Sequence, residues 1–479
     1  MTLPALSCPR GARRRSRWPL AALLLAPLGA LPTSALAAPP SGAPPAATAK
    51  AEVKLPVETT KLDNGLTLLM SRDTSLPVVA VEVRYLVGAS SEEPGKSGFA
   101  HLFEHLMFQG SKHFDHEYFA PFEPIGGVIN GTTNADRTNY FERVPSQYLE
   151  LALWMESDRM FNLLPALTQE KLDNQRDVVK NERRQNYENP PYGMFWFYMA
   201  EAIYPPGHPY RHLTIGSHAD LTRASMKDVR SFFTRYYTPA NAVVTLVGDF
   251  EPKQAKALVQ RYFGGGKGGQ RAATPKATPV KLSGVKHLQY TDAVAQPRVY
   301  LVWPTPALYA PGDAALDVVA SVLTDGKSSR LYKPLVFEQK VAKDVSAYQA
   351  SSQLGSVFVV QATAAEGKSV EELSKALTEA LTQAFETPPT DDELERALNG
   401  WKKSFFHRVE DVLSRAQLLS TYYHLAGRAD YLAEDLARYT RLTPADLHAT
   451  RQWLDLKHHV RIDITPGPKP QISDTMGGG

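Results

Sequence analysis

Residues 98–110 read GFAHLFEHLMFQG, a short apolar run carrying His101, Glu104 and His105. On a helix, positions i and i+4 lie one turn apart on the same face. His101 and His105 can therefore offer a ring nitrogen each to one ion, at about 2.0–2.1 Å for zinc. Glu104 borders that face without having to ligate. The order H-x-x-E-H reverses the H-E-x-x-H zinc signature. The competing reading is two core histidines satisfied by ordinary hydrogen bonds. Two imidazoles and a carboxylate on a buried face are costly unless something pairs them, and a metal ion removes that cost.

A catalytic zinc takes three protein ligands and leaves a fourth position to water. Outward from the motif, the run TQEKLDNQRDVVKNERRQNYENPPYG (168–193) reads as a helix, with Thr168 at its N-cap and Asn189-Pro190-Pro191 as its stop. Glu182 falls within it, two turns beyond Gln175 on the same face. It is a candidate third ligand, and equally an exposed glutamate pairing with Lys180 or Arg183.

The rest of the chain sets limits on this site. Residues 1–37 read as a secretory signal: a basic stretch with Arg10, Arg13, Arg14, Arg15 and Arg17, an apolar run interrupted by prolines, and an A-x-A-like end at Ala35–Ala37. The adjacent arginines also fit twin-arginine export. The resulting location is periplasmic or secreted, with no membrane span in the mature chain. The formal charge of +3 falls to −2 once those five arginines are removed, so composition gives no support to nucleic-acid binding. Cys8, the sole cysteine, leaves with the signal, and any metal must be held by His, Asp or Glu.

About 440 mature residues suffice for two domains or more. A Pro/Ala-rich lead-in (38–54) opens the chain, and a Gly/Pro/Lys-rich stretch (264–284) reads as a linker. The tail 471–479, ending TMGGG, reads as disordered. Segments 55–263 and 285–470 remain. Each opens on β-rich runs (66–70 and 78–89; 297–307), passes a turn into an apolar helical run, and closes on a strand (241–250; 458–467). The predicted fold is α+β: two homologous domains, each a mainly antiparallel sheet packed with helices.

HLFEH, then 76 intervening residues, then Glu182 in RDVVKNERRQ resembles the pitrilysin-type zinc peptidases, the inverzincin family of insulysin and the mitochondrial processing peptidase. GGVINGTTNADRTNYFERVP (126–145), YPPGHPYRHLTIGS (204–217), YYTPANAVVTLVGDF (236–250) and GKSSRLYKPLV (326–336) resemble family stretches in matching order. The resemblance implies one Zn2+ per chain on His101, His105 and Glu182, with Glu104 as general base. It implies that an extended peptide or unfolded segment adds to an edge strand containing Asn130, Gly131, Thr132 and Thr133, with Asn130 contacting its backbone. Asn130-Gly131 also fits a simple turn. His113 and His116 read as surface residues.

Two departures stand out. Gln175 occupies a position where many relatives carry glutamate. In the second half, AALDVVASVL has neither His nor Glu where the motif would fall, so that domain is expected to be a degenerate, non-catalytic copy. Active relatives present from such a half an arginine followed seven residues later by a tyrosine that grips substrate. Tyr348 is the candidate tyrosine, but Val341 stands where the arginine would be. The expected remedy is a heterodimer in which a homologous, metal-free subunit supplies the Arg–Tyr pair. An inert structural or chaperone-like subunit is the alternative.

Overall fold

A computed structural model describes residues 55–478. The expected signal (1–37) and lead-in (38–54) lie outside the described residues. The first sheet contains β1 (Glu58–Lys61), β2 (Thr67–Arg72), β3 (Val78–Tyr85), β4 (Val128–Thr133), β5 (Thr138–Pro145) and β6 (Ala242–Gly248). Their spatial order is β1-β2-β6-β3-β5-β4, which leaves β4 at one edge. The second contains β7 (Lys286–Asp292), β8 (Arg298–Thr305), β9 (Ala342–Ala350), β10 (Ser356–Ala364) and β11 (Val460–Pro466), in the order β7-β11-β8-β10-β9. Strand for strand, the second sheet repeats β2-β6-β3-β5-β4. In each, one neighbouring pair is parallel (β2–β6, β7–β11) and the others are antiparallel. The expected two α+β domains with antiparallel-dominated sheets are therefore present.

The central strand β3, VVAVEVRY, is buried along nearly its whole length because both sheet faces are covered. On one face, Val79, Val81 and Val83 join Phe99 and Phe103 of α1 (Phe99–Leu106) and Leu153 of α2 (Leu149–Ala166). On the other, Leu69, Ala80 and Val247 pack against Val412, Ala416 and Leu419 of the helix Val412–Thr421. Each half thus lends a helix to the other. The helix covering the first sheet comes from late in the chain, while α4 (Phe195–Ile203), which follows α3 (Gln169–Arg183), packs on the second sheet. There Phe195 stacks on Tyr300 at 3.8 Å between ring centroids, and Tyr198 on Tyr290 at 3.5 Å.

Residues 264–284 have no regular structure, yet they are anchored. The Gly268 carbonyl accepts from Ala240 N–H (2.9 Å), Ala272 N–H donates to Asn241 Oδ1 (2.9 Å), and Val280 and Leu282 rest on the main core. The tail departs from expectation. Ile472 and Met476 pack on the same core, and the Asp474 carbonyl accepts from Ala219 N–H at 2.9 Å. Apolar contact and backbone pairing hold a segment whose composition reads as disordered.

Candidate functional site

Helix α1 begins at Gly98, which takes a left-handed φ of +86° and has no capping side chain. Glu92 fills that role from six residues upstream, its carboxylate accepting from Gly98 N–H (2.9 Å) and Ala100 N–H (2.7 Å). Phe99, Ala100, Leu102, Phe103 and Leu106 are buried. With the apolar stripe turned to the core, His101 and His105 share the opposite face, their rings 4.7 Å apart and nearly perpendicular. Helix α3 begins at Thr168, whose hydroxyl accepts from Lys171 N–H at 3.2 Å. It buries Leu172, Gln175, Val179 and Arg183, and a wider, π-type turn over Arg184–Glu188 follows directly after Glu182 and Arg183.

The two helices bring His101, His105 and Glu182 together. Glu182 Oε2 is 3.6 Å from His101 Nε2 and 3.4 Å from His105 Nε2, and one ligand atom from each residue lies within 4.8 Å of the others. Among the described residues this is the one cluster of three or more His, Cys, Asp or Glu side chains with that geometry. Supporting contacts orient it. Gln175 Oε1 lies 3.3 Å from His105 Nδ1 and accepts the proton held there, so the neutral form of the ring has Nε2 bare, and Asn186 Nδ2 donates to Glu182 Oε1 at 3.2 Å.

The electrostatics suit a cation. Burial, with the neighbouring His105, pushes His101 down to about 4, so its imidazole is neutral at pH 7 with a lone pair to give. The hydrogen bond from His105 holds Glu182 below the usual carboxylate range. Burial opposes charge on His105, but Glu182 and Glu104 outweigh it and raise its pKa. Two nitrogens and an ionised oxygen converging on one point fit a divalent metal such as zinc.

Glu104 lies beside this cluster without joining it. Burial raises its pKa, and Thr133 Oγ1 donates to its Oε2 at 2.5 Å. Thr133 is on β4, so the edge strand and Glu104 are fixed to each other. Gly131 faces α1 as well: a Cβ there would lie 3.2 Å from Glu104 Cγ and 3.0 Å from both the Phe108 and Tyr140 rings. A side chain there would press on all three, so the glycine eases the close approach of β4 to α1.

Side chains alternate along a strand, so Asn130 and Thr132 turn to the other face. Asn130 Oδ1 accepts from Gly131 N–H (2.8 Å). Thr132 Oγ1 donates to Asn139 (2.6 Å), and its carbonyl accepts from Arg137 (2.6 Å). The Asn-Gly pair lies inside β4 rather than at a turn. His113, whose side chain is half exposed, pairs with Asp158 at 2.5 Å, away from the cluster.

Tyr348 stands on β9, with its ring 6.2 Å from Trp196 of α4. Among the described residues, no hydrogen bond or ring contact joins it to His101, Glu104, His105 or Glu182. Burial raises its hydroxyl pKa, and Arg298 on β8 is near enough to counter that. Val341 is buried in the core of the second half. Helix Asp313–Thr324, the counterpart of α1, also starts from a left-handed glycine, Gly312 (φ +96°). Aligning Gly312 with Gly98 puts Ala315, Val318 and Val319 opposite His101, Glu104 and His105, and all three are buried. Sequence reading put Thr133 on the edge strand but missed its bond to Glu104, which joins segments 29 residues apart. Glu92, six residues before Gly98, and Asn186, four after Glu182, lie close in the chain but drew no capping or orienting role.

Residues 67–202 match the family described as insulinase (peptidase family M16), and residues 223–400 match the peptidase M16 inactive domain. The chain is 30% identical over 396 residues to the zinc protease PqqE of Helicobacter pylori, covering 80% of this chain and 88% of that protein. A solved structure of a protease from Helicobacter pylori aligns with a TM-score of 0.80 at 27% identity, over 86% of this chain and all of that one. The crystal structure of a peptidase M16 inactive domain from Pseudomonas fluorescens shares the fold at 18% identity, with a TM-score of 0.77 over 88% of this chain and all of that one.

Proposed function

This chain belongs to peptidase family M16, and from that premise we propose that it is an exported, zinc-dependent endopeptidase. It hydrolyses peptides or unfolded segments laid in extended form along the free edge of β4. The observation that carries the reading is the convergence of His101, His105 and Glu182 beside a separately held Glu104.

Zinc bound by His101, His105 and Glu182 supplies Lewis acidity, lowering the pKa of water to about 7 and polarising the scissile carbonyl. Glu104 takes the proton from the attacking water and passes it to the leaving amine. Thr133 fixes one carboxylate oxygen of Glu104, so the other is left for that transfer. Gln175 keeps the His105 ring in the tautomer that leaves Nε2 unprotonated. The edge strand β4 offers main-chain donors and acceptors to an extended substrate, and its link through Thr133 sets the substrate backbone in register with Glu104.

The degenerate second half supports a heterodimer in which a homologous, metal-free subunit brings the Arg–Tyr pair. Residues 1–37 are assigned as a cleaved signal, which places the enzyme in the periplasm or outside the cell. No helix among the described residues is long and apolar enough to cross a membrane. The alternative, an inert structural or chaperone-like subunit, gives no reason to retain Glu104 and all three ligands together.

Metal analysis and cleavage of an unfolded peptide test the proposal. The purified chain should hold about one zinc, and with its partner it should cleave in an o-phenanthroline-sensitive manner. Glu104→Gln should keep the zinc and lose turnover by 10²-fold or more, on the order expected for a general base. Undiminished cleavage by Glu104→Gln sinks the mechanism. Cleavage by the chain alone as fast as with any partner sinks the heterodimer.

A further inference from the structure

The donor set closes only if the start of α1 and the end of α3 keep a fixed separation, since His101 and His105 come from one and Glu182 from the other. One segment, residues 212–220, grips both. Toward α1, His212 Nε2 lies 2.9 Å from Glu92, the carboxylate that caps the helix. Asp220 Oδ2 accepts from the backbone (3.0 Å) and hydroxyl (2.6 Å) of Ser97, and Ser217 N–H donates to Ser97 Oγ at 3.0 Å. Toward α3, the Gly216 carbonyl accepts from Arg183 Nη1. Glu188 accepts from Arg183 Nε at 2.7 Å and lies 2.8 Å from His218 Nε2.

The two grips meet at Gly216. Its φ is +72°, and a Cβ there would lie 2.5 Å from Gly98 Cα and 2.4 Å from the Ser97 carbonyl oxygen. Gly98 precedes His101 by three residues, and Arg183 directly follows Glu182. The path from one ligand helix to the other is therefore Gly98, Gly216, Arg183, with one residue in contact with both ends. Arg183 is itself firmly placed: its side chain is fully buried, its guanidinium lies 4.5 Å from the centre of the Phe197 ring, and it also donates to the Met476 carbonyl at 2.8 Å.

We propose that Gly216 and Arg183 are positioning residues for the metal, acting as a spacer that holds Glu182 at ligating distance from His101 and His105. Metal–ligand bonds tolerate errors of only about 0.2 Å. A Cβ that drives residue 216 away from Gly98 therefore opens the donor set without touching a ligand. This inference rests on the zinc reading given above.

The test is zinc affinity of the full chain by chelator competition, with the unfolding midpoint of the metal-free protein measured alongside. Wild type, Gly216→Ala, Arg183→Lys and Glu182→Ala are compared. Gly216→Ala and Arg183→Lys should each weaken zinc binding about 10- to 100-fold, the range for residues that orient ligands. A merely structural role would instead lower the metal-free unfolding midpoint and leave the affinity of the folded protein at the wild-type value, which overturns the inference. Should Gly216→Ala fail to fold, Arg183→Lys decides by the same criterion, because it leaves residue 216 unchanged and keeps the charge while removing the guanidinium that reaches Gly216, Glu188 and Met476. If wild type and Glu182→Ala bind zinc alike, the ligand assignment falls and takes the spacer with it.

Discussion

Thr133 is a small residue with a large positional effect: its hydroxyl ties Glu104 to the strand along which substrate is proposed to lie. Replacing it with valine keeps the β-branched shape and removes the donor. Thr133→Val should therefore leave the fold and zinc content intact while lowering kcat by about 10- to 100-fold, as for a contact that orients a reacting group. Steady-state kinetics with parallel metal analysis check this, and an unchanged kcat would mean that the Oε2 contact is incidental. Gln175 acts on the same scale. The carboxamide still fixes the tautomer of His105 but brings no negative charge, so the ligand it orients is less basic than one backed by a carboxylate.

At the scale of elements, the second half has a packing helix where the first has α1 and its proposed ligands. Helix Asp313–Thr324 keeps the glycine start and the position between two strands of the sheet, but Ala315, Val318 and Val319 convert the ligand face into core. Its two aspartates are met by helix Leu432–Thr440: Tyr439 donates to Asp317 at 2.6 Å, and Arg438 pairs with Asp313 at 2.6 Å. Burial, with Asp313 adding to it, pushes Asp317 up to about 6. A carboxyl with a raised folded-state pKa favours the fold fully below its ordinary value of 3.8, and that contribution is lost as pH climbs through about 6. Asparagine keeps an acceptor for Tyr439 and cannot ionise. Asp317→Asn should thus gain about 2–3 kcal/mol on wild type between pH 4 and pH 7. Urea unfolding at the two pH values measures it, and an equal difference at both would rule out the burial of a charge there.

At the scale of the whole molecule, the two halves are not beads on a string. A helix from late in the chain covers the first sheet, α4 stacks its aromatics on the second, and the tail returns to the helix that carries Glu182. Removing residues 471–479 would strip Ile472 and Met476 from the core and deprive Arg183 and the Ala219 N–H of carbonyl acceptors. The expected loss is about 2–3 kcal/mol, from partial apolar burial plus a buried donor left short of a partner. A lowered thermal unfolding midpoint checks this, and since the tail also steadies Arg183, zinc affinity should fall with it. An unchanged midpoint would return the tail to the disordered segment its composition suggests.

Much of this architecture was legible in the chain itself. Periodicity placed α1, and Thr168 marked the start of α3. The β-rich runs and closing strands of the two segments carried the repeat. The i, i+4 spacing of His101 and His105 is a property of any helix, so the paired imidazoles follow from local structure alone. Glu182 read equally as a ligand or a surface glutamate until the family resemblance favoured the ligand, because 76 intervening residues carry no distance information. What tertiary structure alone decided are the contacts that cross between elements: Thr133 on Glu104, Gly216 spanning Gly98 and Arg183, and the tail packed on the core. Each joins segments whose separation along the chain exceeds any local period, and whether such groups meet depends on how the sheets and helices pack.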